Sequence, residues 1–187
     1  MKFSLVLASA SPRRKNLLAK LGRPFKIVPS RVPEVQKKGE LPSRFVKRLA
    51  FEKAAAVAAK LKSKPCHVIG ADTVVVLNGK VFGKPKSKRD AAKMLLKLSN
   101  KTHRVYTGVA VVNSRTLKKA GAVDASRVTL RSITAEEAKK IGPKHLDKAG
   151  SYAFQDKKDA LVRKVKGDPQ TVVGLPLRVL KKLLRMV

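Results

Sequence analysis

The chain alternates short apolar runs with segments in which apolar residues recur at helical spacing. The first run, at residues 4–8, predicts a buried strand, and the leucines that follow predict a helix over 12–21. The same patterns predict further strands at 25–28, 67–77, 80–84, 106–113, 120–132, 151–154 and 161–166, and helices at 43–61, 87–98, from 134 and from 175. This alternation favours an α/β fold with a mixed, twisted sheet and flanking helices.

The junction between the first strand and the first helix breaks a local rule. Ser11 suits the N-cap and Pro12 the first helical position, yet Arg13 and Arg14 follow where the helix dipole disfavours cations. Backbone N–H groups converge on such a turn and bind anions, and the hydroxyls of Ser9 and Ser11 would add donors. The segment is therefore either a phosphate-binding turn or an ordinary capped helix with two solvated arginines.

Two charged residues stand at positions that otherwise belong to the core. Asp72 interrupts the apolar run VIGADTVVVL, where an unpaired carboxylate is costly. It requires a cation, a metal ion or a catalytic task, unless turn or backbone donors satisfy it. Lys53 stands near the centre of the apolar face of the helix predicted over 43–61. It either extends to solvent or meets phosphate oxygens in a cleft.

Three further residues are candidates on weaker grounds. Glu34 is a scarce carboxylate that follows a proline in an irregular loop, and Lys84 is held extended by the proline after it. Gln155 is either a contact to a base edge or phosphate, or an ordinary polar residue. The histidines lack metal-ligand spacing and are expected at the surface or at strand ends, namely His67, His103 and His145.

Composition adds a strong positive charge to this picture. The 187 residues suit one domain or two closely joined lobes, and 44 basic residues against 12 acidic ones give a net charge of +32. Such a charge favours nucleic acid or another polyanion as a partner. However, the basic residues are spread along the whole chain and aromatics make up only 4%, so stacking platforms for single strands are scarce. The basic residues therefore form a general solvated surface, and such a composition is typical of a sequence redesigned for high positive charge.

Cysteine content and hydropathy bear on the compartment. The lone Cys66 excludes an internal disulfide and a cysteine-rich zinc site, and is typical of a reducing compartment. No apolar run approaches the roughly 20 residues that span a bilayer. We therefore expect a cytoplasmic protein without a membrane partner.

Seven segments, in this order, resemble the Maf family of nucleoside triphosphate pyrophosphatases: LASASPRR, FEKA, IGADTVV, GKP, THRVYTGVAV, LDKAGSYAFQ and GDPQTVVGLPL. The resemblance covers nearly the whole chain. It implies a single Maf-like domain over residues 1–187, with an elongated Maf/ITPase-like fold of two lobes around a central cleft. It also implies hydrolysis of dTTP, UTP or modified nucleotides to the monophosphate and pyrophosphate, with Mg²⁺ or Mn²⁺ as cofactor.

The resemblance also implies roles for individual residues. Asp72 would be the acid-base residue and, together with Glu34, a metal ligand, while Lys53 and Lys84 complete the catalytic set. Substrate binding would fall to Ser9, Arg13, Arg14, Thr73 and Gln155, with Ser11 added from its place in the turn. The adjacent arginines together with Gln155 resemble the dTTP/UTP branch of the family. Two departures are Arg31, where the family often has an acidic residue, and a region at 139–145 that looks shorter than usual.

Two alternatives to this function stay open at this point. A non-enzymatic binder of nucleic acid or other polyanions accounts for the charge, but not for Asp72, Glu34 or the order of the motifs. A catalytically impaired, highly basic redesign of the Maf fold accounts for the charge and also for these residues and the motif order. The expected partner is a nucleoside triphosphate substrate; non-specific attraction to polyanions follows from the charge in every case, and a homodimer is possible.

Overall fold

The computed structural model describes residues 4–156 and 158–187. Over these residues the strands are β1 (Ser4–Leu7), β2 (Phe25–Ile27), β3 (Cys66–Leu77), β4 (Lys80–Phe82), β5 (Thr102–Asn113), β6 (Lys119–Leu130) and β7 (Val162–Lys166). The helices are α1 (Pro12–Ala19), α2 (Pro42–Ala58), α3 (Lys88–Leu98), α4 (Ala135–Ile141), α5 (Pro169–Val173) and α6 (Leu177–Met186). The α/β class is thus confirmed. Across the described ranges, none of the helices has the length and apolar character of a membrane span.

The strands form one mixed sheet, as predicted. Its order is β2-β1-β3-β5-β6-β7, and β4 pairs with β3 outside that path. β1 runs parallel to both its neighbours, with Leu5 opposite Phe25 on β2 and opposite His67 on β3. β4 returns antiparallel through Asn78 and Gly79, whose φ values of 49° and 75° are those that a two-residue hairpin turn requires. The predicted Asn-Gly hairpin is therefore confirmed.

The chain forms two compact units. The first comprises Met1–Asp72, Thr107–Asp124 and Gly174–Val187, and the second comprises Thr73–Tyr106 and Ala125–Val173. Strands β3, β5 and β6 each contribute residues to both units, because the boundaries fall inside these strands. The expected cleft between two lobes stays a prediction.

In the first unit, helix α2 packs on the sheet through small residues. A Cβ at Gly70 would meet the backbone of Ala50, and a Cβ at Gly108 would meet the backbone of Val46. The close approach of α2 to β3 and β5 therefore requires glycine at both positions. Side chains alternate along a strand, so Gly70 and Asp72 share the face of β3 that α2 covers. The buried cluster around them includes Val6, Ala8, Ala54, Val57, Val68, Ala110 and Val112.

The second unit has a core of its own, and near it one prediction fails. The core includes Val75, Phe82, Leu95, Leu98, Val105, Val128, Leu130, Ile141 and Leu161. The strand predicted at 151–154 is wrong, because a 3-10 turn occupies Ala149–Ser151. Gly150 and Ser151 have φ values of 72° and 59°, which a strand does not accommodate. Helix α5 was not predicted, since its five residues are too few to show a helical period.

All three histidines are buried, so the prediction of surface positions is wrong. His67 and His103 are the second residues of β3 and β5, which confirms the strand-end placement, whereas His145 ends a 3-10 turn. His103 has its Nε2 2.7 Å from the hydroxyl of Tyr152. Burial lowers the pKa of His103 to about 4, so this ring is neutral and its burial is tolerated.

Candidate active site

Helix α2 and strand β3 bring together Lys53 and Asp72, the two charged residues that the sequence places at core positions. Nζ of Lys53 donates to Oδ1 of Asp72 at 2.6 Å and to Oε1 of Glu34 at 2.7 Å. The side chains of Lys53 and Asp72 are 6% and 8% exposed, whereas that of Glu34 is 40% exposed. Lys53 therefore does not extend to solvent, and Asp72 is satisfied by a cation rather than by turn donors. The unit buries a lysine that bridges two carboxylates.

Burial sets the protonation behaviour of Asp72. The loss of water around the carboxylate raises its pKa, against the attraction of Lys53 and Arg14, which lowers it. Desolvation is the larger of these two effects, so the pKa of Asp72 is raised overall. A carboxylate with a raised pKa takes a proton more readily near neutral pH, which suits a general base.

The turn before α1 is built as the sequence predicts. Ser11 caps the helix by accepting from the backbone N–H of Arg14 at 3.5 Å. Nη1 of Arg14 donates to Oγ of Ser9 at 3.2 Å, and its Nε donates to the carbonyl of Gly174 at 3.0 Å. The guanidinium of Arg14 therefore lies back over the turn, half-buried, instead of extending into solvent. This excludes the alternative of two solvated arginines for Arg14, and Arg13 is half-buried as well.

Burial lowers the pKa of Arg14, while Asp72 and Glu34 act in the opposite direction. A guanidinium remains protonated in a protein at any such shift, so Arg14 is a fixed positive charge. The two carboxylates that contact Lys53 are therefore also within the electrostatic influence of the turn. The cationic turn and the carboxylate pair therefore interact electrostatically within the first unit.

The ten predicted site residues divide between the two units. The first unit holds Ser9, Ser11, Arg13, Arg14, Glu34, Lys53 and Asp72. The second unit holds Thr73, Lys84 and Gln155. Thr73 directly follows Asp72 on β3, while Lys84 and Gln155 lie outside regular structure with exposed side chains. The roles of these three residues stay predictions.

Asp72 and Glu34 have the chemistry of a magnesium or manganese site. Mg²⁺ is usually held by one or two carboxylates together with substrate phosphates, rather than by a complete protein cage. Both carboxylates reach the same nitrogen of Lys53, and each has a second oxygen beyond the one that accepts from it. The residues present therefore fit a divalent ion that is shared with a polyphosphate.

A second group of potential metal ligands lies in the second unit. The ligand atoms of His145, Asp156 and Asp159 lie within 4.8 Å of one another. The histidines lack metal-ligand spacing in the sequence, so it is the fold that brings these three residues together. Asp159 already accepts from Nζ of Lys144 at 2.7 Å and contacts Nε2 of His145 at 3.1 Å. A lysine thus supplies the positive charge there, and we assign no ion to this group.

Two glycines that shape the site were not predicted from the sequence. Gly70 lets α2 approach β3, and Gly174 turns its carbonyl toward Arg14 with a φ of 111°. An isolated glycine inside a strand pattern is a signal of close backbone approach, so Gly70 was detectable. Gly174 was detectable as the glycine between an apolar run and a proline-containing helix start.

The fold and the motifs around this site define the family. A model of the family described as "Maf-like protein" matches residues 4–187, and the chain belongs to this family. It is 44% identical over 181 residues to the dTTP/UTP pyrophosphatase of Elusimicrobium minutum, covering 97% of each chain. It is 48% identical over 182 residues to the dTTP/UTP pyrophosphatase of Moorella thermoacetica, covering 96% of this chain and 93% of that one.

Among solved structures, the chain has a distant likeness to a nucleoside-triphosphatase / dITP/XTP pyrophosphatase from Mycobacterium abscessus. The TM-score is 0.42 and the identity 12%, over 70% of this chain and 76% of that one. A likeness at this level supports no statement about function.

Proposed function

We propose that the protein is a nucleoside triphosphate pyrophosphatase that hydrolyses dTTP, UTP or modified nucleotides to the monophosphate and pyrophosphate. Relatives named dTTP/UTP pyrophosphatase, at 44% and 48% identity over nearly the full length, support this substrate class. The observation that carries the proposal is the buried Asp72, which Lys53 holds beside the cationic turn of Arg14. Because the substrates are nucleotides, we place the activity in the cytoplasm.

Asp72 is the general base of the proposed reaction. Its Oδ1 is fixed by Lys53, and we assign Oδ2, which has two lone pairs, both to the divalent ion and to the attacking water. As the water oxygen bonds to phosphorus, its proton passes to Asp72, and the anhydride bond between the α- and β-phosphates breaks to release pyrophosphate. The raised pKa of Asp72 favours this proton transfer.

The cations of the site balance the charge of the triphosphate. Phosphoryl transfer depends on offsetting negative charge as it develops on the phosphate oxygens. Arg14 is held over the N-terminus of α1 by Ser9 and by the carbonyl of Gly174, so its charge is fixed before substrate arrives. Arg13 and Lys84 are proposed to add to it. A divalent ion bound by Asp72 and Glu34 would supply further neutralisation of the phosphates.

Base selectivity is proposed to reside in Gln155, with Arg13 and Thr73. The amide of Gln155 offers both a donor and an acceptor to the edge of a pyrimidine. Its side chain is exposed in the second unit, so it is accessible to a ligand.

A pyrophosphate-release assay tests the proposal. The panel comprises dTTP, UTP, the other standard triphosphates and modified nucleotides, each with Mg²⁺ or Mn²⁺. We expect turnover that is highest for dTTP and UTP and that Asp72→Asn removes. No turnover with any nucleotide of the panel from a folded protein would refute the proposal. It would favour a non-enzymatic polyanion binder or a catalytically impaired, highly basic redesign of the fold.

A further inference from the structure

The segment that carries Glu34 makes few apolar contacts with the rest of the protein. Residues 28–41, between β2 and α2, contain no helix or strand. Most of their side chains are exposed, including Val35 at 69% and Leu41 at 57%. Val28 packs on the core of the first unit, but residues 29–41 have no buried side chain and are expected to open easily unless polar contacts fix them. Glu34 nevertheless reaches Lys53, so its position requires another source of order.

Arg48 supplies that order from helix α2, five residues before Lys53. Its Nη2 donates to the carbonyl of Val35, the residue after Glu34, at 3.0 Å. Its Nε and Nη2 donate to Oε1 and Oε2 of Glu40, each at 2.7 Å. One guanidinium thus holds both ends of residues 35–40 to the helix that presents Lys53.

The guanidinium of Arg48 is itself held in place. Its Nη1 donates to both carboxylate oxygens of Glu52 at 3.0 and 3.2 Å, and it lies 5.5 Å from the ring centre of Phe45. Glu40 also accepts from the backbone N–H of Lys37 at 3.1 Å. Most surface ion pairs contribute little to stability, but a bidentate pair within a network is the exception.

The distribution of acidic residues sets this cluster apart from the rest of the chain. Only 12 residues are acidic against 44 basic ones. Four of those 12 contact just two cations of α2, namely Glu34 and Asp72 on Lys53, and Glu40 and Glu52 on Arg48. A general coat of solvated charge would not concentrate its scarce carboxylates on one helix.

We propose that Arg48 and Glu40 are positioning residues for Glu34. They clamp residues 35–40 to α2, and the clamp holds the carboxylate of Glu34 against Lys53. A catalytic group must be held to within a fraction of an ångström by its surroundings, so loosening this segment lowers turnover without touching substrate. The catalytic part of this inference rests on the proposed function.

Hydrogen exchange measured by mass spectrometry tests the clamp without any substrate. Arg48→Lys keeps the charge but loses the planar fork. Arg131→Lys is the matched control, because Arg131 makes a bidentate pair with Glu137 at 2.7 and 3.1 Å and donates to the carbonyl of Ser132 at 2.7 Å, in the second unit. We expect faster exchange over residues 34–40 in Arg48→Lys and no change there in Arg131→Lys. Unchanged exchange in Arg48→Lys would overturn the clamp.

Kinetics with dTTP test whether the clamp acts through Glu34. We expect Arg48→Lys to lower kcat/KM by about tenfold and Arg131→Lys to leave it unchanged. In a Glu34→Gln background, Arg48→Lys should cause no further loss, whereas an additive loss would overturn the role assigned to it. Glu40→Gln, which removes the other half of the pair, should reproduce the effects of Arg48→Lys on exchange and kinetics. A wild-type protein without turnover would refute the proposed function and with it the catalytic role, while the exchange result would still decide the clamp.

Discussion

Replacing Lys53 with methionine separates a structural lysine from a catalytic one. Methionine matches the length of the buried stem, so the change removes the ammonium that bridges Asp72 and Glu34 at 2.6 and 2.7 Å. Glu34 is partly exposed and can be solvated. Asp72 is 5% exposed, and it would lose its nearest positive charge while remaining out of water. The stability cost of the substitution therefore falls on Asp72.

The cost has a ceiling, because Asp72 can take up a proton instead of remaining charged. Protonating an aspartate at pH 7 costs about 1.4 kcal/mol for each pH unit above an unfolded-state pKa of about 3.9, or about 4 kcal/mol. Methionine removes the desolvation cost of the lysine, and Arg14 still attracts the carboxylate. We therefore expect the free energy of unfolding at pH 7 to fall by about 2 to 3 kcal/mol. At pH 5 the ceiling is about 1.5 kcal/mol.

Urea unfolding at pH 7, 6 and 5 measures this loss, and pyrophosphate release from dTTP measures its catalytic counterpart. Lys47→Met is the control, because Lys47 lies on the same helix with an exposed side chain. We expect Lys53→Met to lower kcat/KM by at least about tenfold, with a stability deficit that shrinks as the pH falls. A deficit that is independent of pH would refute the assignment of the cost to Asp72. Unchanged kinetics would remove Lys53 from the active site.

Four further outcomes are expected. Asp72→Asn should preserve the fold, since the change is nearly isosteric, and should lower turnover by at least about a hundredfold in the pyrophosphate assay. Gln155→Ala should weaken kcat/KM for dTTP and UTP more than for other triphosphates, and an equal loss for all bases would assign Gln155 to the phosphates or to packing. Gly108→Ala should lower the free energy of unfolding by about 2 kcal/mol or more in urea, because its Cβ would meet the backbone of α2. The bond from Arg48 lowers the pKa of Glu40 from 4.5 to about 2, so its stabilisation is complete above pH 4.5 and is lost as the pH falls toward 2. Glu40→Gln should therefore flatten the stability curve in that window, and parallel curves for the two proteins would contradict this.

The regular elements were predictable because their patterns are local. The strands before and after Asn78 and Gly79 alternate around a turn that only a few residue types form, and the structure has that hairpin. The error at 151–154 has a tertiary cause. The N–H of Gly150 donates to the carbonyl of Gly83 at 3.1 Å, and this long-range bond belongs to a turn rather than to a strand. The hydrophobic pattern of residues 151–154 carries no information about a hydrogen bond to a residue so distant in the sequence.

The candidate site was predictable to the extent that its residues conflict with their surroundings. Lys53 and Asp72 were detectable because each places a charge where the pattern requires an apolar side chain. Their pairing was not detectable, since it depends on how closely α2 packs on β3 at Gly70. Arg48 gave no signal at all, because one more arginine among 44 basic residues conflicts with nothing.

The high net charge and the site act at different ranges. A charge of +32 raises the concentration of any polyanion near the surface, but salt screens that attraction beyond about 8 Å at physiological ionic strength. The basicity of Asp72 is set within that distance, where burial raises its pKa against the attraction of Lys53 and Arg14. The positively charged surface can therefore attract a triphosphate to the protein, but it does not determine the reaction at the site. That chemistry depends on a few carboxylates in a strongly basic chain, and on helix α2, whose Lys53 and Arg48 contact four of them.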